Sequence, residues 1–253
     1  MPANHDRGFR AHVRAFALAL PDDVAFSHVT AARLHGLPTP RAWNHGEPLE
    51  VMRLSDRPRI ERDGVQSHRG LERRWLAEVD GLTVTASIET WADLSTSLRV
   101  DDLVAVGDAL VQPPHGIPLK DLRRTASDRV GRGAVALREA AALVRVGSAS
   151  AWESKARVRF AQWGLPEPEL NVDLHDDWGR WLARPDFVWR DRRVVGEYDG
   201  DQHRTDRRSW QYERERRAGL EDDGWTYVEM TSLSLTAARE SQTLRARLTR
   251  LLL

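Results

Sequence analysis

The sequence predicts an α/β (α+β) fold in two parts. A smaller mixed α+β N-terminal domain comes first. A mixed four-stranded sheet flanked by helices follows, in the order αβββαβα. Three observations carry this. Three strand-like runs, "ELNVDL", "RWLARPDFVW" and "VVGEYDG", follow one another across short turns, which makes a meander. A charged helical stretch over about 206–222 then leads to a fourth run, "WTYVEM", and a helical crossover of this kind makes the sheet mixed. Ahead of the Gly/Ser stretch "VGSAS" the chain is instead built of short alternating pieces.

In the first half, residues 7–20 fit an amphipathic helix. "SHVTAARLHGLP" reads as a short helix with Ser27 at its N-cap, ended by Gly36 and Pro38. Strands are expected at 48–54, 64–68 and 82–86, and helices at about 87–96 and 101–111. "QPPHGIP" at 112–118 breaks the chain before two further helices at 119–126 and 133–146. The expected organisation is a mixed domain over 1–118, a helical connector over 119–149 and a second domain over 150–253. That second domain opens on a helix at 151–163, stopped by Gly164. It closes on the amphipathic helix "SLTAARESQTLRARLTRLLL".

The 253 residues and 41% hydrophobic content suffice for real cores. Cysteine is absent, which excludes disulfides and Cys-based zinc sites. No apolar run approaches a membrane span and no leader signature is read, so the expected setting is cytoplasmic. Net charge is zero, so a nucleic-acid surface would have to be local. Lys120 and Lys155 are the two lysines among 38 basic residues. Trp91, Trp189, Trp210 and Trp225 are expected in cores. His28 and His35, seven apart, lack a third ligand.

The unusual stretch is "RPDFVWRDRRVVGEYDGDQH", Arg184 to His203, which places Asp186, Glu197 and Asp199 in a segment that otherwise reads as strand. Side chains on a strand alternate, so Glu197 and Asp199 share a face. A hairpin turning at Asp191–Arg192 pairs residues whose numbers sum to 383, which sets Asp186 opposite Glu197. Cβ atoms of such a pair are about 4.5–5.5 Å apart, and like charges there are destabilising. Either a divalent cation bound through oxygen compensates, or one carboxyl holds a proton. Glu153, early in the preceding helix, is a candidate fourth acid. Ser150-x-x-Glu153 is equally a capping box, which would explain it by helix initiation.

Pro185-Asp186, ten intervening residues and Glu197-x-Asp199 resemble the PD-(D/E)XK phosphodiesterase superfamily. More narrowly, "RPDFVW…VVGEYDGDQHR…ERRAGLEDDGWTYVEMT" is similar to a domain related to very-short-patch-repair endonucleases, over about 150–235. The resemblance implies a restriction-endonuclease-like sheet and metal-dependent cleavage of nucleic acid, DNA in the first place. It implies Mg²⁺ (or Mn²⁺) held by Asp186, Glu197, the Tyr198 carbonyl and Asp199, with Glu153 as the helix acid. The superfamily's usual Lys is replaced by Asp199, which leaves the general base open. His203 is a candidate because its ordinary pKa is near neutrality. Arg204, Arg207, Arg208 and Arg216 are candidates for phosphate contact, since the guanidinium fork suits phosphate. Interleaved Asp206, Glu213 and Glu215 also fit a solvated helix face.

"SHVTAARLHGLPTP", "VQSHRG", "LTVTASIETWADLS" and "DDLVAVGDALV" resemble an abortive-infection antitoxin-like (AbiEi-type) region. The resemblance implies a regulatory or targeting role, with a homodimer or protein partner through this half. Its first 26 residues are too short for a complete winged helix. The competing reading of the whole chain is a regulator that binds nucleic acid, keeps the nuclease fold and does not cut.

Overall fold

A computed structural model describes the backbone of residues 3–200 and 207–253, and the side chains of 7–200 and 214–253. The chain divides into two compact units, Met1–Arg145 and Val146–Leu253. Both are mixed α/β, as the sequence predicts. The first is the longer, because the two helices expected as a connector pack within it. No helix among the described residues is long and apolar enough to cross a membrane.

Unit 1 opens with α1 (Ala3–Ala17), β1 (Ala25–Phe26) and α2 (His28–Leu34). Strands β2 (Leu49–Arg53), β3 (Val65–Arg69), β4 (Leu76–Val79) and β5 (Leu82–Thr85) follow. They form a sheet in the order β3-β2-β1-β5-β4. β1 runs antiparallel to β2 and parallel to β5, and β2 is parallel to β3. Two-residue β1 carries too short a pattern to be read from sequence, yet it is the central strand. Phe9 and Val13 of α1, Ala31 and Leu34 of α2, and Leu49, Val51, Leu82 and Val84 of the sheet make one core. Ser27 occupies the N-cap position of α2, but its side chain makes no capping hydrogen bond.

Helices α3 (Ser87–Leu94), α4 (Val100–Leu110), α5 (Leu119–Asp128) and α6 (Ala134–Leu143) complete the unit. Trp91 is fully buried, and its indole N–H donates to the Leu103 carbonyl at 2.9 Å. Gly133 starts α6 with φ +83°. A Cβ there would lie 2.4 Å from Ser95 Oγ and 2.6 Å from the Ser95 carbonyl oxygen. Gly133→Ala therefore combines a left-handed backbone with a backbone clash and is expected to cost on the order of 2 kcal/mol. Urea unfolding reads this as a lowered midpoint; an unchanged midpoint would show that the turn repacks freely.

Unit 2 begins with α7 (Ala151–Gln162), capped by Ser150 Oγ, which accepts from the Glu153 N–H. The meander is more broken than expected. "ELNVDL" divides into β6 (Glu169–Leu170) and β7 (Leu174–His175), and the returning run into β8 (Trp181–Ala183) and β9 (Phe187–Trp189). Asn171 breaks the first with φ 50°, a left-handed conformation that Asn tolerates better than most residues. Pro185, which has no N–H for a ladder, interrupts the second. The inner halves join β10 (Val194–Tyr198) and β11 (Thr226–Met230) in a sheet ordered β11-β10-β9-β6, while β7 and β8 pair separately. β9 and β10 are antiparallel; β10 and β11, linked through α8 (Arg207–Asp222), are parallel.

Alternation along these strands makes two faces. Phe187, Trp189, Val194, Val228 and Met230 pack with Ala156 and Phe160 of α7 and with the C-terminal helices. Those helices are α9 (Ser232–Thr236) and α10 (Ala238–Leu252), separate because Ala237 is extended. Val188, Val195 and Tyr227 face the other way and pack with Leu220 of α8, Leu174, Ala183 and Trp225. Helices thus cover both faces of the sheet.

Candidate active site

The β9–β10 register pairs Trp189 with Val194, Val188 with Val195 and Phe187 with Gly196. Continuing it by one residue sets Asp186 opposite Glu197, as the sequence predicts. Asp186 falls on the Val188 face and Glu197 on the Val195 face, which is one and the same side, shared with α8. The end of the hairpin is closed by the Asp186 side chain itself: the Tyr198 N–H donates to Asp186 Oδ2 at 2.7 Å. A carboxylate here takes the place of a backbone acceptor in the ladder.

Glu153 arrives from α7. Trp152 beside it stacks on Tyr198, with ring centroids 5.4 Å apart, and fixes the helix start against the end of β10. Glu153 is buried. Its Oε2 accepts from the Ala149 N–H at 2.8 Å and from Asn171 Nδ2 at 2.7 Å. The capping-box expectation is therefore half met. The Ser150 hydroxyl caps the Glu153 N–H, but the Glu carboxylate goes to Ala149 and Asn171. Asn171 also donates its N–H to the Asp186 carbonyl at 3.1 Å and its Nδ2 to the Gly147 carbonyl at 2.9 Å.

Glu197 is buried, and Oε2 accepts from Arg216 Nη2 at 2.5 Å and from the Tyr227 hydroxyl at 2.9 Å. Arg216, a candidate for phosphate contact, is ion-paired here with its side chain 16% exposed. The reason is local: α8 lies on the acid face, and a buried carboxylate draws the nearest guanidinium.

Burial first, then the charges of Glu153 and Glu197, push Asp186 up to about 7, against the opposing pull of the Tyr198 N–H and Arg216. The structure thus brings Asp186, Glu197 and Glu153 into one electrostatic group. Asp199 lies just past β10, half-buried, with its N–H donated to the Met230 carbonyl at 2.8 Å. His203 and Arg204 lie outside the described residues, as do the side chains of Arg207, Arg208 and Trp210.

The donor set fits a hard divalent cation in kind: the donors are carboxylate oxygens, and each acid is aimed through a named oxygen by a neighbouring donor. The convergence is loose, however. Among the described residues, these acids do not form a group with ligand atoms all within 4.8 Å of one another.

Three contributors were missed in the sequence. Asn171 ties Glu153 to Asp186; its signal was an Asn in an apparent strand, where Asn is depleted. Tyr227 on the neighbouring strand carried no signal of its own. Lys155, one of the two lysines, sits 5.0 Å from the centroid of the Trp152 ring and so adds a cation near the start of α7.

Among curated proteins, the chain is 30% identical over 204 residues to "Uncharacterized protein Rv2248" and "Uncharacterized protein MT2308", from two strains of Mycobacterium tuberculosis. The match covers 79% of this chain and 71% of each relative. The chain belongs to the family of these mycobacterial proteins. The family's shared span is long enough to draw on both units, since it exceeds the length of either. No protein-family model matches the chain, and no solved structure matches it.

Proposed function

We propose that this chain is a metal-dependent endonuclease that hydrolyses phosphodiester bonds, with DNA as the substrate and Mg²⁺ (or Mn²⁺) as the cofactor. The observation that carries the reading is the placing of Asp186 opposite Glu197 on one face of the sheet, with Glu153 close enough to act on Asp186. Such crowding of acids, two buried and one half-buried, is destabilising on its own and is relieved by a cation. Asp186, Glu197, the Tyr198 carbonyl and Asp199 would hold the ion, with Glu153 beside them. When bound, it would polarise the phosphate and lower the pKa of a water.

The chain's own residues do the rest. The Tyr198 N–H aims Asp186, Asn171 aims Glu153, and Tyr227 with Arg216 aims Glu197. With Asp186 near 7, this carboxyl exchanges its proton close to neutral pH. His203 remains the candidate for general base. A cytoplasmic setting accompanies this reading, and the N-terminal unit is assigned the regulatory or targeting role.

A second reading is favoured by the Arg216–Glu197 pair, in which a guanidinium sits where a cation would bind. On it, the chain is a regulator that binds nucleic acid without cutting. Cleavage panels over double-stranded, single-stranded and mismatched DNA and RNA, with Mg²⁺ and Mn²⁺, separate the two. The endonuclease reading expects metal-dependent products that vanish in Glu197→Gln while nucleic-acid binding persists. Binding by the wild type with no product on any substrate would favour the regulator.

A further inference from the structure

A second polar group lies in unit 1, far in sequence from the acids. We propose that His28, Glu50 and His68 form a binding site for one divalent transition-metal ion of the zinc class. Two of the three residues lie on neighbouring strands of one sheet, and the third opens α2, the helix that follows the central strand. His28 follows β1, Glu50 lies on β2 and His68 on β3. Each offers one ligand atom, and these atoms all lie within 4.8 Å of one another. That is the convergence the acid group lacks.

The contacts around the group aim its donors. His68 Nε2 stands 3.2 Å from Glu50 Oε1. Glu50 Oε2 accepts the Val29 N–H at 2.8 Å, and the Glu50 N–H donates to Thr30 Oγ1 at 2.8 Å, so the carboxylate is held from the first turn of α2. His28 Nδ1 is 3.0 Å from Ser27 Oγ, which leaves Nε2 as its metal-facing nitrogen. A ring nitrogen bonded on the far side from the ion is the usual way a protein orients a His ligand. The two imidazoles stack with centroids 3.7 Å apart and 19° between their planes, so one ring must turn about its side-chain torsions for both in-plane lone pairs to meet one ion.

The backbone supports a special role. His28 has φ 49°, a left-handed conformation that costs on the order of 1–3 kcal/mol in a non-Gly residue. That conformation is where the chain leaves β1 and turns its ring toward β3. His28 is buried, only 6% exposed. An ordinary His–Glu pair between β3 and β2 would need neither the second ring nor the strained backbone.

Two imidazole nitrogens and one carboxylate oxygen suit Zn²⁺ or a neighbouring first-row ion better than Mg²⁺, which prefers oxygen alone. Three protein ligands leave a coordination position open for water or another small donor. The His68 and Glu50 side chains are 23% and 15% exposed, so solvent reaches that side of the group. The site is independent of the nuclease reading, since it uses none of the acids assigned there. His35, named with His28 in the sequence, takes no part: its Nε2 bonds the Thr85 carbonyl at 2.8 Å.

The test uses the full chain after chelator treatment. Zn²⁺ titration by calorimetry and Co²⁺ titration by visible absorption should both give one ion per chain for the wild type and for Asp186→Asn. Glu50→Gln keeps the shape and the Val29 contact, and should weaken Zn²⁺ binding by at least about 10–100-fold, the range seen when a metal site is disturbed. His68→Ala should abolish the Co²⁺ absorption bands. No Zn²⁺ binding by the wild type, or equal binding in wild type, Glu50→Gln and His68→Ala, would overturn the site. Loss of the Zn²⁺ signal in Asp186→Asn alone would move the ion to the acids and also overturn it.

Discussion

Asp186→Asn should stabilise the protein at pH 8 while abolishing cleavage. The ordinary value for this carboxyl is 3.8, and burial with Glu153 and Glu197 raises it to about 7 in the folded chain. The folded state therefore holds the proton more tightly than the unfolded chain between these two values. Stability linked to Asp186 is fully present below about pH 4, falls as pH rises through 7, and is flat above. Each tenfold gain in proton affinity is worth about 1.4 kcal/mol, so the loss is on the order of 2–4 kcal/mol, allowing for the group's partial exposure. Asn carries no charge to desolvate and still accepts the Tyr198 N–H through its amide oxygen. Urea unfolding at pH 5 and pH 8 should show the variant's advantage growing with pH. Millimolar Mg²⁺ should narrow the gap at pH 8 by stabilising the wild type through binding to its folded form. The same substitution should lower cleavage by at least about 10³-fold, the rate equivalent of several kcal/mol of lost charge stabilisation. An advantage that is equal at both pH values would show that the Asp186 carboxyl is not raised.

What the sequence reveals of this site follows from what a local pattern can encode. The hairpin turn at Asp191–Arg192 sets the register by counting, and the observed pairs sum to 383 as expected. Strand alternation then places Asp186 and Glu197 on one face. Contacts from distant segments have no such arithmetic. Arg216 reaches Glu197 because α8 packs beside β11 and β8, and Tyr227 does so because β11 pairs alongside β10. The same limit hid β1, whose two residues are held by β2 and β5 and not by their own pattern. It also hid the His28 group, whose three members are separated by 18 or more residues and meet only through the pairing of β1, β2 and β3. Asn171 was the exception: an αL-tolerant residue in a β-rich run is a local signal for a break, and the break carries the bond to Glu153.

Arg216→Ala should have the second large effect. If its guanidinium served chiefly to contact phosphate, removing it would weaken nucleic-acid binding and leave folding unchanged. Its side chain is instead 16% exposed and bonded at 2.5 Å to a carboxylate that is itself 10% exposed. Removing one partner of a buried pair leaves the other charge without compensation, which typically costs about 3–5 kcal/mol. Tyr227 still donates to Glu197 and softens the loss, so Arg216→Ala is expected to cost about 3 kcal/mol at neutral pH. Adding Glu197→Gln should return most of that stability, because the amide needs no counter-charge. This recovery separates an ion pair from simple loss of packing by the Arg stem. Mg²⁺ supplies the remaining discrimination. A cation that binds Glu197 should rescue Arg216→Ala in urea unfolding and leave the Arg216→Ala/Glu197→Gln double variant unchanged. If the metal stabilises both alike, Glu197 is not its ligand, and Arg216 is a permanent lock on the site that keeps the chain a binder and not a nuclease.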